Sequence, residues 1–273
     1  MKIFLHNWSG HGNLGDDEMA RIFTKLFGSD GAEFVQGEEE WDWKIVGGGT
    51  LIAPNSEFMR DLEHNGLHAD DKQAKLKHTI LFGVGVSANW NGEFVEELRE
   101  CAAIYVRDLF SHTQLTRFQV PCVLSVDPWF ALEPRVWYPS KKIMANVMVA
   151  PESPVEGHEA YARHALERLK GVNEGVQFFA MSDREDVKTM PEGTFCYNDG
   201  SALINDLSTA GVVFVTRLHA AVAAWIAGVR DIRVISYDPK VRHFLEYVNY
   251  YDVKDCQNIL LSHVADARKV MGL

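Results

Sequence analysis

Cysteine is scarce: Cys101, Cys122, Cys196 and Cys256 lie far apart in 273 residues, and none belongs to a CxxC pair. That spacing excludes a four-thiolate zinc site and a dense disulfide framework, and it fits a reducing compartment. There is no excess of basic charge. The 27 Lys and Arg against 38 Asp and Glu give a formal net charge of -11, which argues against non-specific binding to nucleic acid or to an anionic membrane. No uninterrupted apolar run is long enough to cross a bilayer, and the opening KIFLHNW is too short for the apolar segment of a secretory leader. A cytoplasmic protein without a transmembrane segment is expected. Repeats and low-complexity tracts are absent as well.

What the chain does have is alternation. Short β-like runs precede helical stretches: KIFLHNW before 16–27, KIVGG before a polar stretch, TILFGVGV before 92–100, AAIYVRD before 109–117, and then VLSVD. Such a pattern folds as a parallel sheet covered by helices. Pro128, Pro134 and Pro139 cluster in DPWFALEPRVWYPSKK, and the pattern then restarts with IMANVMVAP, helix 158–170, VQFFAMS, helix 200–208, GVVFVT, helix 219–227 and IRVISYDP. The expected fold is α/β with two Rossmann-like domains facing a cleft, residues 1–135 and 140–273.

The stretch FVTRLHAAVAAWIAGV is almost wholly apolar yet carries Arg217 and His219 near its start. Residues two apart share a face only in an extended segment, so the pair cooperates if strand 212–216 ends there and a helix begins. Free backbone N–H groups and the helix dipole then favour an anion at the same place, and the Arg and His complete a phosphate or carboxylate pocket. The plainer alternative is a structural ion pair for Arg217 and a core position for His219.

Gly10-x-Gly12-x-x-Gly15 follows a strand and precedes a helix, which is the context of a dinucleotide fingerprint, and Glu38 falls near the place of a ribose-binding acid. Asp16, Asp17 and Glu18 speak against it, because they fill the first helical turn where a pyrophosphate needs positive dipole. Those carboxylates suit a ligand bearing hydroxyl groups, or they simply stabilise a helix start. Gly47, Gly48 and Gly49 end a buried strand, where a backbone can approach a ligand or turn tightly. Arg107 and Asp108 end another strand, and Tyr237, Asp238, Lys240, Arg242 and His243 follow the last one. Arg107 and Lys240 are the natural supplements to Arg217 for a multiply charged anion, unless Asp108 is a helix cap beside a solvated Arg. Trp90, between two asparagines, is a candidate for stacking on a sugar or for ordinary packing. Asp127, in VDPWFAL, either caps a turn or faces the cleft.

In their order along the chain, GNLGDDE, GGGTLI, GVGVS, VRDLFS, DPWF, RLHAAVAAWIAGV and YDPKV resemble the polysaccharide pyruvyl transferase family over residues of about 10 to 245. The resemblance implies a GT-B-like architecture and transfer of the pyruvyl group of phosphoenolpyruvate to sugar hydroxyls as a cyclic ketal. By that resemblance Arg217 holds the donor's phosphate or carboxylate, and His219 is the acid or base that assists protonation of the enol carbon or departure of phosphate. Arg107 and Lys240 match positions where a cation neutralises the donor, while Asn13, Asp16 and Gly48 match loops that face the cleft. No metal and no nucleotide, flavin or redox cofactor is implied. The implied partners are phosphoenolpyruvate and a glycan or lipid-linked sugar, the latter bringing the protein to the inner membrane face. GVGVS stands where the family usually reads GQGIGP, and GDDE replaces GDEA. Two other classes fit the same residues: a GT-B glycosyltransferase holding a nucleotide-sugar diphosphate with Arg217 and Lys240, and a sugar- or anion-binding protein without turnover. An NAD enzyme ranks behind both.

Overall fold

The computed structural model describes residues 1–7, 9–28, 31–35, 41–54, 56, 58–59, 74–149, 157–172, 175–235 and 239–273. Glu38, Tyr237 and Asp238 lie outside the described residues. The protein is an α/β protein with two parallel sheets. The first holds β1 (Lys2–His6), β2 (Glu33–Val35), β3 (Trp43–Gly47), β4 (Thr79–Val84), β5 (Ala103–Val106) and β6 (Val123–Leu124), ordered β2-β1-β3-β4-β5-β6. The second holds β7 (Ile143–Asn146), β8 (Val176–Ala180), β9 (Phe195–Cys196), β10 (Val212–Val215) and β11 (Ile232–Val234), ordered β11-β10-β7-β8-β9. Every residue of β4 is buried, as the unbroken apolar run TILFGV requires of a parallel strand covered on both faces.

The α-helices lying wholly among the described residues are α1 (Leu14–Phe27), α2 (Val95–Glu100), α3 (Leu109–Arg117), α4 (His158–Val172), α5 (Gly200–Leu207), α6 (Leu218–Ile226), α7 (Pro239–Val248) and α8 (Val253–Met271). Their starts follow local chemistry. α3 begins after Asp108, whose Oδ1 accepts from the Ser111 N–H at 2.7 Å, and α5 begins after Asp199, which accepts from the N–H groups of Ser201 and Ala202. α2 is shorter than the stretch 92–100 expected to be helical, because Gly92 and Phe94 both take left-handed backbone angles (φ 93 and 58) and postpone its first turn. The edge strands β2 and β9, and helices α7 and α8, go beyond the alternation legible in the sequence. α8 buries Cys256, Leu260, Val264, Ala267 and Met271, a stripe at helical spacing.

The chain divides into two compact units, one comprising Met1–Trp8, Met19–Ala131 and Lys254–Leu273, the other Ser9–Glu18 and Leu132–Val253. The bounds 1–135 and 140–273 follow the order of the sequence, and the contacts depart from that order in two segments. The C-terminal helix belongs to the first unit, where Arg268 Nη1 donates to the Leu26 carbonyl at 3.3 Å and His263 Nδ1 lies 3.0 Å from Ser125 Oγ. The segment Ser9–Glu18, the glycine-rich loop with the first residues of α1, belongs to the second. A helix's periodicity says which face it buries, and nothing in it says against which sheet.

At the N-terminal edge of the second sheet, Asp206 at the end of α5 gathers Lys142 Nζ, Tyr197 Oη and Gln177 Nε2. Burial alone would raise the Asp206 carboxyl, but the hydrogen bonds from Lys142 and Tyr197 outweigh it and hold the group below the usual carboxylate range. A depressed carboxyl contributes stability above its unfolded pKa and loses it as the pH falls through the folded value. Asp206→Asn is therefore expected to lower Tm at neutral pH by roughly 2–8 °C, the equivalent of about 1–2 kcal/mol. The gap should narrow as the pH falls from about 5 to about 3. A gap unchanged across that range in thermal melts would show that the carboxylate's charge contributes nothing.

Candidate functional site

In the second unit β7 is the pivot. The chain runs from β7 to β8 and β9 on one side of it, then returns to place β10 and β11 on the other. The reversal opens between the C-terminal ends of β7 and β10, which is where open α/β sheets bind ligands. Asn146 is the last residue of β7 and is fully buried, and Arg217 follows β10. Asn146 Nδ2 donates to the Phe179 carbonyl at 3.1 Å and to Asp186 Oδ2 at 3.0 Å. Its Oδ1 accepts from Thr216 Oγ1 at 3.2 Å and from the Arg217 N–H at 3.3 Å. One amide thus fixes both sides of the crevice floor.

Arg217 takes an extended conformation (φ -90, ψ 143) as the residue before α6, and its side chain caps nothing. Its Nε donates to Asp186 Oδ1 at 2.8 Å, and its Nη2 reaches the same oxygen at 2.7 Å and Glu185 Oε2 at 2.5 Å. Nη1 has no hydrogen-bond partner among the described residues. Asp186 is fully buried and also accepts from the Met181 N–H at 2.8 Å. Burial works against the arginine's charge, but Asp186 first and then Glu185 reverse the balance and hold Arg217 firmly protonated. The expected strand-to-helix junction is present, and so is the ion pair that was its plainer alternative.

His219 is the second residue of α6 and is buried. It faces the glycine-rich loop so closely that a Cβ on Gly15 would overlap the ring at Nδ1. The same loop pairs with the segment after β8. The Leu14 N–H donates to the Met181 carbonyl at 2.7 Å, the Asp183 N–H donates to the Gly12 carbonyl at 3.1 Å, and Asn13 bridges Ser182. Gly12 has φ 72 and lies where a Cβ would strike the Asp183 carboxylate. These glycines are used for backbone-to-side-chain approach within the unit.

The loop's polar residues have structural partners too. Asn13 Oδ1 accepts from the Gly15 N–H at 3.0 Å, and its carbonyl from the Asp17 N–H at 2.9 Å, so Asn13 starts α1. Asp17 Oδ1 accepts from the Gly10 N–H at 2.5 Å. Glu18 is buried and accepts from the Gly200 N–H at 3.1 Å, placing its charge at the start of α5. Asp16 stands half-buried in the first turn of α1, and Lys240 half-buried in the first turn of α7.

In the first unit Arg107 follows β5 and is 2% exposed. Its Nη2 donates to Thr50 Oγ1 at 3.1 Å. Asp127 Oδ2 lies 3.6 Å from Nη1 and Asp108 Oδ2 3.9 Å from Nε. Nε and Nη1 are buried without a hydrogen bond among the described residues, an arrangement that costs free energy unless a ligand or water completes it. Gly85 lines the guanidinium, since a Cβ there would come within 3.0 Å of Nη2. Gly48 (φ 71) turns the chain after β3, and a Cβ on it would stand 2.7 Å from Met19 Cγ, so helix packing demands a glycine there. Trp90 is a core residue, with Nε1 donating to the Glu93 carbonyl at 3.1 Å and its ring edge-on to Phe118. The sugar-stacking candidate is thereby corrected to ordinary packing.

Sequence reasoning did not single out Asn146, Glu185, Asp186 or Thr50. The available signal was position: MSDRED follows VQFFA at a strand's C-terminal end, and Asn146 ends IMAN. Among the described residues no helix is long and apolar enough to cross a membrane, and no group of three His, Cys, Asp or Glu is placed to hold a metal ion.

The family model of the polysaccharide pyruvyl transferases matches residues 13–239. No curated protein matches the sequence. Among solved structures, an uncharacterized protein from Klebsiella pneumoniae subsp. pneumoniae is similar with a TM-score of 0.56 at 16% identity, over 91% of this chain and 88% of that one. At that identity the likeness concerns the fold alone. Weaker matches are a mutant of S. aureus TarM in complex with fondaparinux, α-GlcNAc-glycerol and UDP (TM-score 0.40, 11% identity, 81% of this chain and 48% of that one) and the Gap123 complex of Streptococcus agalactiae (0.33, 14%, 85% and 53%).

Proposed function

The chain belongs to the polysaccharide pyruvyl transferase family, and we propose that it transfers the pyruvyl group of phosphoenolpyruvate to hydroxyls of a glycan or glycan precursor, forming a pyruvate ketal. The observation that carries this reading is the placement of Arg217 and His219 two residues apart, at the junction of β10 and α6 where the strand order reverses. That position offers an anion a guanidinium, the first N–H groups of a helix and its dipole. His219, the second residue of the same helix, is within the same neighbourhood as an acid or base.

The reaction balances as follows. A proton is added to the methylene carbon of the enol, leaving an oxocarbenium-like centre at the carbon that bears the phosphate. One sugar hydroxyl attacks that centre and loses its proton. Phosphate departs, and a second hydroxyl of the same acceptor closes the ketal and loses its proton. Arg217 holds the donor's phosphate or carboxylate through its Nη1 edge, and His219 gives or takes a proton in this sequence. Lys240 adds positive charge from α7, and Asp16 offers a carboxylate to acceptor hydroxyls. Arg107 is proposed as the anion-holding cation of the first unit, where two of its nitrogens lack a hydrogen bond among the described residues, with the Gly48 turn two residues before its partner Thr50.

Titration calorimetry tests the reading. Phosphoenolpyruvate is expected to bind the wild type while UDP, GDP and NADH stay silent. Arg217→Lys keeps a cation beside Asp186 but loses the fork, and is expected to weaken binding by about 10- to 150-fold, the equivalent of about 1.5–3 kcal/mol. A nucleotide signal with no phosphoenolpyruvate signal would overturn the pyruvyl reading in favour of a nucleotide-sugar glycosyltransferase.

A further inference from the structure

The Arg217 guanidinium presents two unlike edges. The Nε–Nη2 edge rests on Asp186, a fully buried carboxylate that also accepts from Asn146 Nδ2 and the Met181 N–H. Anchors from β7, the end of β8 and the Arg itself hold that carboxylate, and parting a buried charge from its partner is costly. The other edge, Nη1 and Nη2, has the two-pronged shape that binds carboxylate or phosphate oxygens in parallel. At its Nη2 end sits Glu185 Oε2, 2.5 Å away, on a side chain that is 65% exposed. Among the described residues the Glu185 carboxylate touches no other donor, while its backbone N–H is tied to Ser182 Oγ at 3.1 Å. The main chain of Glu185 is therefore pinned, and its side chain is left able to swing.

We propose that Glu185 is a stand-in anion: its carboxylate covers one end of the Arg217 docking edge, and an incoming phosphate or carboxylate group displaces it. The inference rests on the reading of Arg217 as a donor-binding residue and names what competes with the donor there. An exposed carboxylate paired at a single point is weakly held, whereas a phosphate spans both Nη1 and Nη2 with at least one full negative charge. Adjacent residues 185 and 186 thus divide the work. Asp186 orients the guanidinium, and Glu185 keeps its outer edge from binding every small anion, so that only a ligand with further contacts displaces it.

The test compares wild type with Glu185→Gln, which keeps the side chain's size and removes its charge, using inorganic phosphate and phosphoenolpyruvate as separate probes in titration calorimetry at low ionic strength. The variant is expected to bind both about 3- to 10-fold more tightly, with phosphate gaining at least as much as phosphoenolpyruvate, and with Tm nearly unchanged because the residue is exposed. Tighter phosphate binding without any phosphoenolpyruvate binding would uphold the stand-in and overturn the pyruvyl donor. Equal affinities in wild type and variant would overturn the stand-in and leave the donor reading in place. Weaker binding in the variant would also overturn it, by showing that Glu185 holds Arg217 in its binding position. Silence of both proteins toward both probes would overturn the two together.

Discussion

Replacing His219 with alanine is expected to lower kcat by roughly 10²- to 10⁴-fold, the range that a single general acid or base contributes. Tm should fall by no more than roughly 5 °C, because one buried side chain of this size is removed and the helix itself is untouched. The comparison separates two roles that its position allows. His219 is buried in the first turn of α6 and packed on Gly15, which is consistent with a core residue as well as with a proton-transferring one. A core histidine would give losses in Tm and in rate that move together across Ala, Asn and Gln substitutions. An acid or base would give a large loss of kcat with KM for phosphoenolpyruvate little changed, since Arg217 does the holding.

Gly15→Ala should be the more revealing change because two principles predict opposite signs for it. Gly15 lies in the first turn of α1 without a positive φ, and in such a place alanine ordinarily stabilises by about 0.4–1 kcal/mol. Here the added Cβ would overlap His219 at Nδ1. Both residues belong to one compact unit, and the loop is held by the Leu14 and Asp183 hydrogen bonds on either side. The imidazole must therefore move. The expected result is destabilisation of about 1–3 kcal/mol, as for overpacking elsewhere, together with a fall in kcat of about 100-fold from misplacing a reacting group by an ångström. A rise in Tm with full activity would show that the ring has room to shift and that its placement does not depend on the loop. Read beside His219→Ala, the variant also shows whether loss of the imidazole and its displacement are equivalent.

Both experiments bear on a site that is only partly legible in the sequence. The junction at Arg217 could be read from FVTRLHAAVAAWI because the switch from a period of two to a helical run is local, and so is the rule that anions favour helix starts. The family could be read from motifs in order, and the model match over 13–239 bears that out. The glycine pattern was open to a dinucleotide reading because Gly10, Gly12 and Gly15 look the same whether a phosphate or a side chain approaches them. Asp183 and His219 turn out to be what approaches Gly12 and Gly15. Likewise the sequence fits Asp17 and Glu18 equally to ligand groups and to helix-start charges, and their partners in the fold are the N–H groups of Gly10 and Gly200.

By itself the sequence determined the α/β class, the two parallel sheets implied by alternation, the strand ends at which Arg107 and Arg217 fall, and the family. Each of these follows from spacing within a short window, or from motifs that keep their order. Only the tertiary structure decided that α8 packs with the first unit and the segment Ser9–Glu18 with the second, that Arg217 lies between a buried and an exposed carboxylate, and that Arg107 is buried with two nitrogens lacking a hydrogen bond among the described residues. The reason is range. Asp186 and Glu185 are 31 and 32 residues from Arg217 and Asn146 is 71 away, and no local period records which charged side chain of a folded chain will meet which. Partners at that distance are chosen by the order of the strands and by the cost of burying a charge alone, and neither exists until the sheet has formed.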